Sequence, residues 1–220
     1  MAIKQDIMVM RKEIDKSREY YFEKIVNVIL TNVKNYNSDS WDKSLNKIID
    51  LFYDSLTETY SITIKNLKKC YKKLPDFSID NIFDLTYSKD GKTIEERLSG
   101  YWAEGKKRLN QNHFNAKDEE LGHVDGVDEV AEYLIDKYDR ISLTETRIVE
   151  AKLKEKKKPL NAEMLIIESG CDICQGGEYA ADENVDLPPY HPNCQCTYYW
   201  IVTDDEDDIH DLDLEVDDLV

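Results

Sequence analysis

The spacing Cys171-x2-Cys174-x16-His191-x2-Cys194-x-Cys196 constrains this chain more than any other feature. Thiolates and imidazole are the donors of a tetrahedral zinc site, and a C-x-x-C turn presents two sulfurs to one ion. Any fold must therefore bring two separated segments to one point. Five donors compete for four places. On a strand, residues 194 and 196 share a face, so both could ligate. The favoured set is Cys171, Cys174, His191 and Cys194, with Cys196 as the substitute. Pro188, Pro189 and Pro192 stiffen the approach and lower the entropy cost of assembling the ligands. Buried free thiols and disulfides are the alternatives.

The first third of the chain is written for helix. Ile3, Ile7, Met10, Ile14, Tyr21, Ile25 and Val28 recur at steps of three and four, with Ser17 filling the gap, over a predicted helix at 1–35. The polar stretch 35–40 breaks it, and Ser38 or Asp39 can cap a second helix. Trp41, Leu45, Ile48, Phe52, Tyr60, Leu67, Tyr71 and Leu74 repeat the pattern until Pro75 stops it. Two long amphipathic helices joined by a short turn make an antiparallel hairpin. Its stripe either packs within the chain or docks on another subunit. The second reading makes 1–75 a partner-binding arm, with Ile7, Met10, Ile14 and Tyr21 as the contact residues.

The remainder reads as α+β. Thr93 and Glu96 stand at capping-box spacing, which predicts a helix over 94–113. Further helices are expected at 127–139 and 144–157. Met164 to Glu168 and Cys196 to Val202 suit strands. The expected fold is thus a long-helix hairpin (1–75), then a small, mostly helical domain (76–203) whose short β-hairpin is stapled by the Cys/His zinc site. Thr144-Glu145-Thr146-Arg147 sets a carboxylate among the apolar Ile141, Leu143 and Ile148. Glu145 is either an exposed acid at the favourable end of a helix dipole or half of a buried ion pair with Arg97 or Arg140. Cys70 is expected to be a packing residue, and His113 and His123 surface or capping residues.

Charge narrows the partners. The net charge is −17, and residues 204–220 hold ten Asp and Glu with no Lys or Arg, leaving −7 for the rest. Affinity for duplex DNA comes from Lys and Arg releasing counterions from phosphates, so only weak or indirect DNA contact is expected. The acidic end, 204–220, has the composition of a disordered tail. Its alternation of Leu212, Leu214 and Val216 with acids also suits a strand meeting a basic partner surface. The N-terminal segment has no continuous apolar run fit for a signal peptide, and nothing is apolar enough to span a bilayer. A reducing cytoplasm is expected, which favours metal over disulfides.

No nucleophile elbow, Walker loop or H-E-x-x-H occurs. Glu178, Asp182, Glu183 and Asp186 lie between the ligand pairs and could act as a base beside an open zinc site, but acidic loop residues are most simply solvated.

Three blocks stand in order: Y-S-K-D-G-K-T-I-E-E-R at 87–97, R-I-S-L-T-E-T-R at 140–147, and C-D-I-C at 171–174 followed by L-P-P-Y-H-P-N-C-Q-C at 187–196. Together they resemble the phage head morphogenesis family typified by the F protein of phage Mu, over about 85–203. That family shows a D-G-K then Arg segment, a T-E helix and a closing P-P-x-H-P-N-C-x-C. Gln195 departs from it, standing where Arg is common. The resemblance implies a minor head protein of a tailed phage, located in the virion after assembly in the host cytoplasm. It implies association with the portal vertex and work in head assembly, DNA packaging or ejection. Portal protein and/or major capsid protein would be the partners, with no membrane and no small-molecule substrate. It also directs attention to Asp90, Gly91, Arg97, Arg140 and Glu145 as structural residues. Two rivals remain: an ejected effector enzyme, ADP-ribosyltransferase-like or a nuclease, and a zinc-binding adaptor unrelated to phage.

Overall fold

The computed structural model describes residues 2–75, 92–119, 125–191 and 194–202. Four helices are followed by three strands: α1 (Ala2–Lys34), α2 (Ser38–Cys70), α3 (Ile94–Glu119), α4 (Asp125–Lys156), β1 (Ala162–Glu168), β2 (Gly177–Ala180) and β3 (Thr197–Val202). The fold is mainly helical with a small antiparallel sheet of order β2-β1-β3. Among the described residues no helix is long and apolar enough to cross a membrane. Asp90 and Gly91, the tail 204–220, His123 and Pro192 lie outside the described residues.

The two stripes in the first 75 residues do form the expected helix pair, and the second apolar set joins them to the rest of the chain. One core lies among the helices, from Ile25, Ile29, Trp41, Phe52, Leu98, Trp102, Leu134 and Tyr138. Trp41 and Trp102 stack with centroids 4.1 Å apart. Each indole N–H donates to the other's backbone carbonyl, at 3.2 and 2.9 Å, which satisfies both polar atoms inside the core. The capping box is present: Thr93 N–H donates to Glu96 at 2.8 Å and Glu96 N–H to Thr93 at 3.1 Å.

The second core corrects the docking stripe. Ile7, Met10 and Ile14 are fully buried against Leu67, Tyr71, Leu165, Ile167, Tyr198 and Trp200 of the same chain. The periodicity marks a buried face, and the sheet is what buries it. Only Tyr21 of the four expected contact residues keeps partial exposure. The helix pair is thus packed into the molecule rather than held out as an arm.

Two other boundaries differ from expectation. The helices expected at 127–139 and 144–157 are one continuous helix, α4. Its middle is polar because Ser142, Glu145, Thr146 and Arg147 are buried among the other helices, not because the helix stops. Strand β2 was not expected at all. It pairs with β1 from Met164↔Ala180 to Ile167↔Gly177.

Candidate metal centre

The strand ends build the site. β1 runs antiparallel to both neighbours, so its C-terminal end lies beside the start of β2 (Ile167↔Gly177) and the start of β3 (Glu168↔Thr197). The Cys171–Cys174 turn follows β1 directly. The Ser169 hydroxyl lies within hydrogen-bond distance of both Cys171 O (2.9 Å) and Cys174 O (2.7 Å), pinning that turn. Gly170 is required by close approach, since a Cβ there would collide with the carbonyl of Gln195. From the other side, Cys194 N–H donates to His191 O at 3.1 Å, which holds the second pair together.

Cys171, Cys174, His191 and Cys194 offer donor atoms that all lie within 4.8 Å of one another, a group that could hold a metal ion. His191 Nε2 is 3.4 Å from the Cys171 sulfur and 3.2 Å from that of Cys174. The Cys174 and Cys194 sulfurs are 3.9 Å apart. All five cysteines are free thiols. Cys196 borders the group: its sulfur is 3.7 Å from that of Cys171 and accepts the Gly170 N–H at 3.4 Å. Hydrogen bonds from Cys174 and then His191 draw the Cys171 thiol down to about 6, while desolvation pushes Cys174 up. Metal ligation takes such thiols in their deprotonated form. The acids between the ligand pairs, Glu178, Asp182, Glu183 and Asp186, are all exposed and stand outside this group.

Behind the cluster lies a buried charge network that the sequence reading missed. Glu150 on α4 meets Arg11 (3.2 Å), Arg147 (3.3 Å) and Lys154 (2.9 Å), all four nearly inaccessible to solvent. Arg147 also reaches Asp15 at 2.6 Å. Arg11 donates to Gln195 O at 2.6 Å and Cys196 O at 2.8 Å. Lys154 donates to the Thr197 hydroxyl at 2.8 Å and Tyr198 O at 2.9 Å. Two helices thus grip the backbone between the last ligands and β3. Burial pulls Lys154 down to about 8, against the attraction of Glu150. The available signal was the spacing Arg147-x2-Glu150-x3-Lys154, which puts three charges on one helix face beside Val149, Ala151 and Leu153.

No family model, curated protein or solved structure matches this chain.

The Glu145 alternatives resolve toward burial. Glu145 is fully buried and its carboxylate lies 2.5 Å from the guanidinium of Arg97. Arg140 pairs with Asp136 instead, at 3.1 Å on the surface. The Arg97–Glu145 pair ties α3 to α4. Arg97→Met should therefore cost about 3–5 kcal/mol, because it strands a buried carboxylate. Urea denaturation measures this, and a loss under about 1 kcal/mol would remove the clasp role.

Proposed function

We propose that this chain is a structural, non-enzymatic minor head protein of a tailed phage, stapled at its C-terminal end by one zinc ion. The observation that carries this reading is where the three resembling blocks fall. Arg97 of the first block pairs with Glu145 of the second. The third supplies Cys171, Cys174, His191 and Cys194, which meet in one group. A sequence pattern whose members are the internal fastenings of a fold fits a scaffold component better than a reacting site.

The donor set suits zinc. A tetrahedral ion with Zn–S bonds of about 2.3 Å and a Zn–N bond of about 2.0 Å has S···S edges of about 3.8 Å and S···N edges of about 3.5 Å. The cluster has 3.9 Å for the first and 3.2–3.4 Å for the second. Three thiolates and one imidazole fill the coordination sphere and leave no position for a water, which is the mark of a structural site. The ion's contribution would be to hold the β1–β2 and β3 ends together.

On this reading the partners are the portal protein and/or major capsid protein at the portal vertex, with at most weak or indirect DNA contact. Quantitative mass spectrometry of purified, DNA-filled particles from the host carrying the gene tests it. The expected result is this chain at a few copies per head, co-purifying with portal. Its absence from particles, with all of it in the soluble fraction, would favour the zinc-binding adaptor.

A further inference from the structure

In a chain of net charge −17, ten of the 29 cations stand in two short segments, 65–73 and 152–158. Lys65, Lys68 and Lys69 lie at helical spacings of three and four on the exposed face of α2, and the exposed Lys72 and Lys73 follow its end. No Asp or Glu occurs from 59 to 75. At the end of α4 only Glu155 interrupts Lys152, Lys154, Lys156, Lys157 and Lys158; Lys154 is turned inward to Glu150 and Lys157 is buried, so Lys156 is the exposed member, with Lys152 and Lys158 half-buried. The two ends are joined: Leu160 N–H donates to Lys73 O at 3.1 Å and the Lys157 ammonium to Pro75 O at 2.6 Å. Two acids of α1 approach this end of α2: Asp6, whose charge acts on Cys70, and Glu13, which accepts from the Asn66 amide at 3.0 Å.

Helix dipoles account for cations in a last turn. They do not account for Lys65, which precedes it. Like charges at these spacings destabilise a helix, so a fixed anion opposite them would relieve the fold. The chain carries such an anion in its sequence just after β3. β3 ends at Val202, which pairs with Ala162, and Ala162 N–H donates to Pro159 O at 3.2 Å beside the end of α4. After Thr203 comes the segment 204–220, ten of whose residues are Asp or Glu. At about 3.3–3.6 Å per extended residue the segment reaches at most about 60 Å.

We propose that the lysine face at the joined ends of α2 and α4 is the docking site of this chain's own acidic segment 204–220, which covers it against other polyanions. The contact is electrostatic and exposed, so it weakens as salt shortens the screening length from about 10 Å at 0.1 M to about 3 Å at 1 M.

Zero-length carbodiimide cross-linking of the full-length chain, followed by peptide mass spectrometry, reads the contact directly. The expected products join tail carboxylates to Lys65, Lys68, Lys69, Lys72 or Lys156 within one chain at low salt, and disappear near 1 M salt. Absent products, or products that form only between isotopically distinct chains, overturn the proposal. A second readout is anisotropy with a short DNA duplex. A full-length variant with the ten tail carboxylates changed to amides should bind at least tenfold more tightly than the native chain. Adding K65E, K68E and K69E should abolish that gain, whereas the charge-matched K12E, K43E and K47E on other exposed positions should preserve most of it. Equal duplex binding by native and amide-tailed chains, or equal loss in both lysine triples, would overturn the proposal.

Discussion

If the cluster holds the proposed zinc, Cys174→Ala should release it and open the three-stranded sheet while the helical core stays folded. Cys174 is the donor closest to the imidazole and also neighbours the Cys194 sulfur, so its loss separates the two ligand pairs. Metal binding free energy in such sites is largely folding free energy. The loss is regional because the core has two parts. The set around Trp41, Trp102 and Tyr138 does not include the strands, whereas the set containing Leu165, Ile167, Tyr198 and Trp200 does. Hydrogen exchange should show amides of β1, β2 and β3 losing protection a hundredfold or more, about 2.8 kcal/mol, with α3 little changed. A chelator should reproduce the effect. Cys70→Ala, on α2 away from the group, should leave metal content at the native value. Unchanged protection in metal-free Cys174→Ala protein would refute a stapling role.

Glu150→Gln should be nearly as damaging, at about 3–5 kcal/mol near pH 7. The carboxylate is the one anion that Arg11, Arg147 and Lys154 share, and the amide leaves Arg11 and Lys154 buried without a counter-charge while Arg147 keeps only Asp15. Burial by itself would raise the Glu150 pKa, but Lys154, Arg11 and Arg147 outweigh it and hold it well below the usual carboxylate range. The unfolded chain has an ordinary carboxyl at 4.5. The stabilisation is therefore complete above about pH 4.5 and is lost as pH falls from there toward the folded value. Denaturation curves of native and Glu150→Gln protein should differ most at neutral pH and converge in acid. A constant gap across that range would mean that the ionised carboxylate is not the source of the stability.

The parts legible in the sequence are those whose signals are local. The α1 and α2 stripes repeat every three to four residues, and the capping box at Thr93 and Glu96 is read within four positions. The donor set was legible for the same reason: two pairs, each with two residues between its ligands. Apart from the Arg97–Glu145 pair, what the sequence left unread was the partners across the chain. The stripe of Ile7, Met10 and Ile14 shows that a face is buried but not that Tyr198 and Trp200 bury it. Arg11 looks like a solvated charge until Glu150, 139 positions away, is placed against it. The polar run at 140–147 breaks the apolar period, yet tertiary burial of Glu145 and Thr146 carries the helix through it. β2 is four residues long and flanked by glycine, too short for alternation to register, and exists because β1 offers it a ladder.

The central claim is that Cys171, Cys174, His191 and Cys194 form a closed, structural zinc site. X-ray absorption at the zinc edge of the purified full-length protein tests it most directly. The expected result is about one zinc per chain in a first shell of three sulfurs near 2.3 Å and one nitrogen near 2.0 Å, with no oxygen. A chain without metal, or a shell containing a water oxygen in place of one protein donor, would contradict it.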